Sequence, residues 1–153
     1  MPATVRLQSE DFDAGAEARR LAAGRTDIGA IVTFTGICRG EENGAPIAAL
    51  TLEHYPEMAK AEIARHAETA MSRWQLTGLT VIHRVGRITA GENIVLVLTA
   101  SQHRQAAFQA AEFLMDYLKA NAPFWKREES AGGTSWVDAR HHDDDAAARW
   151  TKS

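Results

Sequence analysis

Two lysines, an arginine and a carboxylate are gathered around a proline between Asp116 and Glu128, in the run DYLKANAPFWKRE. Residues from Ala106 to Leu118 have helical spacing, and Pro123 disfavours helical geometry for Ala122. A helix is therefore predicted to end near Asn121, with the chain leaving it extended through Phe124 and Trp125. Lys119 then ends a helix and Lys126 sits on a strand. On an unbroken helix these lysines would share one solvated face, whereas the break lets both ammonium groups approach a common point from different elements. That geometry suits a small, multiply anionic ligand. Phe124 and Trp125 beside Lys126 predict a partly desolvated wall, where an amine loses its proton more easily than in water. The plainer alternative is that Lys119 complements the helix dipole and Lys126 is a surface strand residue.

Other basic residues also fall at predicted element ends. Arg39 follows a glycine-ended strand and opens a polar loop, where a forked guanidinium can grip a phosphate or carboxylate. Ser101 is placed to cap a helix whose first turn would then hold His103 and Arg104, where unpaired N–H groups and the helix dipole favour an anion. A solvated loop arginine and an ordinary capped helix are the bland readings of these two features. The single cysteine, Cys38, excludes an intramolecular disulfide. A thiolate activated by Arg39 would make a rival sulfurtransferase, but regular alternation puts Cys38 on the face of Val32, Phe34 and Gly36, which favours packing. The run from His141 to Asp145 does not fit a metal site, because adjacent histidines cannot easily share one tetrahedral ion. His54 and His83 fall within strands and read as structural histidines. No dinucleotide, Walker or Ser-His-Asp motif is present, and no metal or other cofactor is expected.

These residues need elements to position them. With 153 residues, 45% of them hydrophobic and 24% charged, the chain fits one domain with a sizeable core. Seventeen Lys and Arg against 20 Asp and Glu, scattered rather than clustered, argue against nucleic acid as a partner. The start MPATVRL lacks a signal-peptide core and no apolar run is long enough for a bilayer, so a cytoplasmic protein with no membrane role is expected. Val5 and Leu7 read as a short edge strand, and Ser9 as the cap of a helix over roughly Phe12 to Ala23 that Gly24 ends. Ile28 to Ile37 is β-rich and is predicted to form a hairpin with Ile47 to Tyr55 through the polar loop between them. Pro56 opens a helix whose stripe is Ile63, Ala67, Met71 and Trp74. Gly78 to Gly86 and Glu92 to Ala100 read as two strands joined by a turn near Ala90 and Gly91, the second apolar enough to be buried on both faces. A flexible loop from Glu129 to Thr134, a short strand from Ser135 to Ala139 and a helix over roughly Asp144 to Trp150 complete the chain.

The strings YLKANAPFWKRE, VTFTGICR (32–39), ALTLEHYPEMA (49–59), VIHRVG (81–86) and SQHR (101–104) together resemble the large, catalytic subunit of molybdopterin synthase, over nearly the whole length. The resemblance implies an α+β fold of the α/β-hammerhead type, with antiparallel or mixed sheets and three to four helices. It implies a sulfur transferase that converts cyclic pyranopterin monophosphate to molybdopterin by installing the two dithiolene sulfurs. The donor it implies is the thiocarboxylate on the C-terminal Gly-Gly of a small ubiquitin-like subunit, in a heterotetramer built on a large-subunit homodimer. By motif, Lys119 and Lys126 match the catalytic lysines. Ile37, Cys38, Arg39, His103, Arg104, Arg127 and Glu128, with the same two lysines, match the substrate-binding positions, and Arg140 matches an arginine of a neighbouring subunit's pocket. Ile37-Cys38 and the loop from Gly40 to Pro46 depart from the usual pattern. Two alternatives stay open: a non-catalytic subunit that docks a ubiquitin-like tail, and a Cys38-dependent sulfurtransferase.

Overall fold

The computed structural model describes residues 3–120, 124–130 and 133–137 together with Ala148 and Trp150. Its centre is a mixed four-stranded sheet built from β1 (Thr4–Gln8), β2 (Ala30–Ile37), β5 (Gly78–Arg84) and β7 (Asn93–Ser101), in the order β1-β5-β7-β2. β1 runs parallel to β5, and the remaining pairs are antiparallel. The strand β7 is central and buried from Val95 to Ser101, as its unbroken apolar run predicts.

Alternation along the two inner strands assigns each face a cover. Leu79, Val81, Val95 and Val97 pack with Ile63, Ala67 and Ala70 of α2 (Pro56–Arg73) and with Ala110, Leu114 and Leu118 of α3 (Arg104–Ala120). Ile82, Leu96 and Leu98 point the other way and meet Phe12 and the half-buried Ala18 and Leu21, the last two on α1 (Ala14–Ala22). The α1 cap is Asp13, whose carboxylate accepts from the Ala16 N–H at 3.0 Å. Ser9, the expected cap, instead donates its hydroxyl to Glu10.

A second sheet lies beside the first, with β3 (Glu41–Glu42), β4 (Ala45–His54), β8 (Phe124–Ser130) and β9 (Gly133–Val137) in sequence order and β6 (Gly86–Thr89) also paired to β4. Leu50, Leu52, Ile88 and Cys38 form its buried core, against which Ile94 and Phe124 pack. Two sequence expectations fail here. The strand β2 does not pair with β4. A register shift at Gly36/Ile37 and backbone bonds from the Cys38 N–H to the Glu92 carbonyl, and from the Gly91 N–H to the Cys38 carbonyl, tie the end of β2 to β7 instead. The loop makes its own small hairpin, β3 with β4, turned by Asn43 and Gly44 at φ 51° and 82°. Likewise β5 and β7 pair but are not joined by one turn, because Gly86 at φ 83° diverts Gly86–Thr89 into the second sheet.

Much of the expected loop from Glu129 to Thr134 is strand, since Glu129 pairs with Thr134 and Ser130 with Gly133 between β8 and β9. Of the expected terminal helix only Ala148 and Trp150 are described. Trp150 stacks edge-on against Trp74 and Phe113, and its indole N–H donates to Asp116, one helical turn before Lys119. Asn121, Pro123, Arg140, His141, His142 and Asp145 lie outside the described residues. No helix among the described residues is long and apolar enough to cross a membrane.

Candidate active site

The strand β8 sorts its side chains by alternation. Phe124, Lys126 and Glu128 share one face, opposite His54, Leu52 and Leu50 of β4. Because Leu50 and Leu52 belong to the buried cluster with Cys38 and Ile88, Lys126 stands half-buried on the inner side of the second sheet. Trp125 and Arg127 point outward: Trp125 meets Tyr55 edge-on at 5.0 Å, and Arg127 pairs with Glu53 at 3.1 Å. Arg127 therefore does not share the face of Lys126, although the two are neighbours in sequence. Glu128 does share it.

Lys119 is the last residue but one of α3 and is exposed. Its charge and that of His54 act on His83, at the end of β5. His83 is 6% exposed, and its Nδ1 lies 2.8 Å from the Arg84 carbonyl oxygen. A carbonyl only accepts, so Nδ1 carries the proton and Nε2 keeps its lone pair. Burial drives the imidazole down to about 4, so it is neutral at physiological pH. Its ring lies 4.4 Å from that of Phe124, on the face of Lys126. The ends of α3, β5 and β8 thus meet around His83 and Phe124, with one lysine from each of two of them. The sequence predicts His83 as a structural strand histidine and Phe124 as a wall beside Lys126, but not their contact; the mark was a histidine continuing the buried alternation of Leu79 and Val81.

Arg39 leaves the same region on the loop after β2, where its guanidinium meets Glu42 at 2.8 Å and is largely exposed. It follows Cys38, whose thiol feels Lys126, Glu128 and Glu92. Cys38 is 4% exposed, and burial, the largest influence, pushes its thiol up; Lys126 pulls it down and the two carboxylates oppose that. Its Sγ lies 3.8 Å from the carbonyl oxygens of Arg39 and Ile88. A buried, protonated thiol is a packing group and not a nucleophile. Ile37 next to it is 53% exposed.

His103 and Arg104 are elsewhere. α3 begins at Arg104, and Ser101 does not cap it: Ser101 is the last residue of β7 and its hydroxyl donates to the His103 carbonyl. Both basic residues are exposed and line an open cavity of about 790 Å³ with Gln102, Phe108 and Gly29. Fifteen residues of helix separate Arg104 from Lys119, roughly 22 Å at 1.5 Å per residue. The residues expected at one point thus do not all meet: Lys126 and Glu128 share the face beside Cys38, Arg39 is paired with Glu42, and His103 and Arg104 lie at the other end of α3 from Lys119. Among the described residues no group of three or more His, Cys, Asp or Glu has metal-site geometry.

The placement of His103 and Arg104 depends on a glycine. Gly29 donates its N–H to the Ser101 carbonyl at 2.9 Å, and a Cβ at this position would lie 2.0 Å from the Gln102 carbonyl oxygen. Gly29→Ala is expected to push the Gln102–His103 turn aside, destabilising the fold by about 1–3 kcal/mol. Thermal unfolding and the histidine resonances in NMR would register it; an unchanged melting temperature and an unmoved His103 signal would contradict this packing.

The family model described as "MoaE protein" matches residues 7–121. The chain is 59% identical over 152 residues to the molybdopterin synthase catalytic subunit of Mesorhizobium japonicum, covering 98% of this chain and 94% of that one. Its fold superposes on a structure titled molybdopterin biosynthesis MoaE protein from Burkholderia ambifaria with a TM-score of 0.83, at 44% identity and 99% coverage of both chains. A Helicobacter pylori structure, titled as a complex of subunits 1 and 2 of molybdopterin-converting factor, shares the fold at a TM-score of 0.71 and 22% identity, covering 90% of this chain and 91% of that one.

Proposed function

The chain belongs to the MoaE protein family, and from that premise we propose that it is a molybdopterin synthase catalytic subunit, a sulfur transferase of molybdenum cofactor biosynthesis. The substrate is cyclic pyranopterin monophosphate. The donor is the C-terminal thiocarboxylate of a small ubiquitin-like subunit. The observation that supports the reading is the approach of α3 and β8 to His83, on whose ring the Lys119 charge acts and against which packs Phe124, on the face of Lys126.

Cations placed in advance lower the free energy of charge that builds up as the thiocarboxylate carbonyl is attacked, and they gain strength where water is excluded. Lys126, against the wall of Leu52 and Cys38, is assigned to clamping that charge, and Lys119 at the helix end to proton transfer. Arg39 would exchange its Glu42 partner for the anion. The enzyme is assigned to the cytoplasm, as one domain.

The roughly 22 Å along α3 bears on assembly. His103 and Arg104 would hold the substrate phosphate beside the lysines if they came from a second copy. The surface for that copy is the open edge of β2, with Phe34 39% and Ile37 53% exposed, continued by Phe108, 60% exposed, at the cavity of His103. The assembly we propose is a large-subunit homodimer with one small subunit on each half.

The test is reconstitution with purified precursor and thiocarboxylated small subunit, reading dithiolene product. Tail binding without product would favour a docking-only subunit. The Cys38-dependent alternative conflicts with the buried thiol: Cys38→Ser is expected to keep activity within about twofold of wild type and to cost about 1 kcal/mol of stability. Loss of turnover in a folded Cys38→Ser protein would restore that alternative.

A further inference from the structure

Among the buried titratable groups that the proposed chemistry leaves unused, His83 lies where the elements carrying both lysines meet. On β5 it continues the row of Leu79 and Val81, which faces α2 and α3. Its imidazole is held by the Nδ1–H bond to the Arg84 carbonyl at 2.8 Å and is 6% exposed. Against it lies Phe124, with ring centroids 4.4 Å apart and planes inclined by 31°. Its neighbour across β4 and β8 is His54, with ring centroids 6.1 Å apart. Phe124 thus borders two imidazoles, one from each sheet. It opens β8, and Lys126 projects from the same face two residues on, about 7 Å along the strand.

We propose that His83 is a positioning residue whose ring seats Phe124 and thereby fixes where β8 delivers Lys126 relative to Lys119 at the end of α3. The inference rests on the sulfur-transfer reading above and assigns the lysines no new role. The imidazole acts here as a neutral, flat, anchored surface. An aliphatic side chain of similar size gives Phe124 no planar partner, so the start of β8 can slide. Misplacing a catalytic group by about 1 Å is enough to cost as much as a hundredfold in rate.

The experiment compares His83→Leu, His83→Phe and Phe124→Leu in the reconstituted complex with the small subunit, reading kcat, the KM for the precursor and the melting temperature. His83→Leu and Phe124→Leu are each expected to lower kcat by about 10- to 100-fold with KM within about threefold of wild type. The double variant should fall no further than the worse single one, because both remove the same contact. His83→Phe keeps a flat ring and should hold kcat within about threefold of wild type. Both His83 variants lose the bond to the Arg84 carbonyl, so a merely structural role would lower their melting temperatures and rates alike.

Equal defects in His83→Leu and His83→Phe, or wild-type kcat in His83→Leu, would overturn the proposal. If His83→Leu does not fold, Phe124→Leu against Phe124→Tyr decides, and wild-type kcat in Phe124→Leu overturns it. The wild-type complex and a parallel Lys119→Ala sample separate the two levels. No product from the wild-type complex would sink the sulfur-transfer reading itself, whereas product there and its loss in Lys119→Ala, alongside normal turnover in His83→Leu, would sink only the positioning role.

Discussion

Replacing either Lys119 or Lys126 with alanine is expected to lower dithiolene formation by about 100- to 1,000-fold, the cost of deleting one preorganised charge that stabilises the transition state. The fold should survive both changes. Lys119 is exposed at a helix end, and removing it takes away one cation from the C-terminal turn, worth about 0.3–1 kcal/mol. Lys126 is half-buried, but its face is otherwise made of Leu50, Leu52, Ile88 and Cys38, which pack without it. A second readout belongs to Lys126 alone. Its charge holds the Cys38 thiol lower than burial would leave it, so Lys126→Ala should raise the thiol's titration further while Lys119→Ala leaves it in place. Wild-type turnover in both variants would end the mechanism. A Cys38 titration that Lys126→Ala leaves unmoved would take the amine away from the inner face of β8.

A mixture of two inactive enzymes should recover activity. Lys119→Ala and Arg104→Ala are each expected to be nearly inactive as homodimers, the second through loss of phosphate binding. If each site takes its lysines from one protomer and His103 with Arg104 from the other, re-assortment of the two variants makes half of the dimers hybrid. Each hybrid carries one site with both defects and one site with neither, so activity should return to about one quarter of wild type. A site contained within one chain predicts no recovery, because every protomer then carries a defect. Rates measured after the variants are unfolded and refolded together, against separately refolded controls, distinguish the two. Continued inactivity of the refolded mixture would mean that the roughly 22 Å along α3 is not bridged by a second copy.

Local chemistry made much of this arrangement readable in advance. The end of α3, the start of β8, the proline-led α2 and the doubly buried β7 follow from periodicity and from single residues whose backbone preferences are strong. The pairing of β2 did not follow, because β4 and β7 are both rich in apolar residues and a nearby turn signal favours the closer one. What decided it was non-local: Leu50 and Leu52 bury against Ile88 and Cys38, which removes β4 from the first sheet. Ser9 and Ser101 were equally plausible as caps by residue type. One lost to Asp13, whose carboxylate is one residue from the helix, and the other stayed in a strand. Alternation along β8 would have put Arg127 on the far side from Lys126. The helix rise between Arg104 and Lys119 would have set them apart, so both were arithmetic already present in the residue numbers.

The strand order also governs how the molecule comes into being. β1 waits for β5, β2 for β7 and β4 for β8, partners separated by much of the chain, whereas β3–β4, β5–β7 and β8–β9 pair over short separations. At 5–20 residues per second, a ribosome takes about ten seconds to deliver β8, and until then β4 lacks that neighbour. Slow assembly is thus a consequence of the same long-range pairing that carries Lys126 to its place.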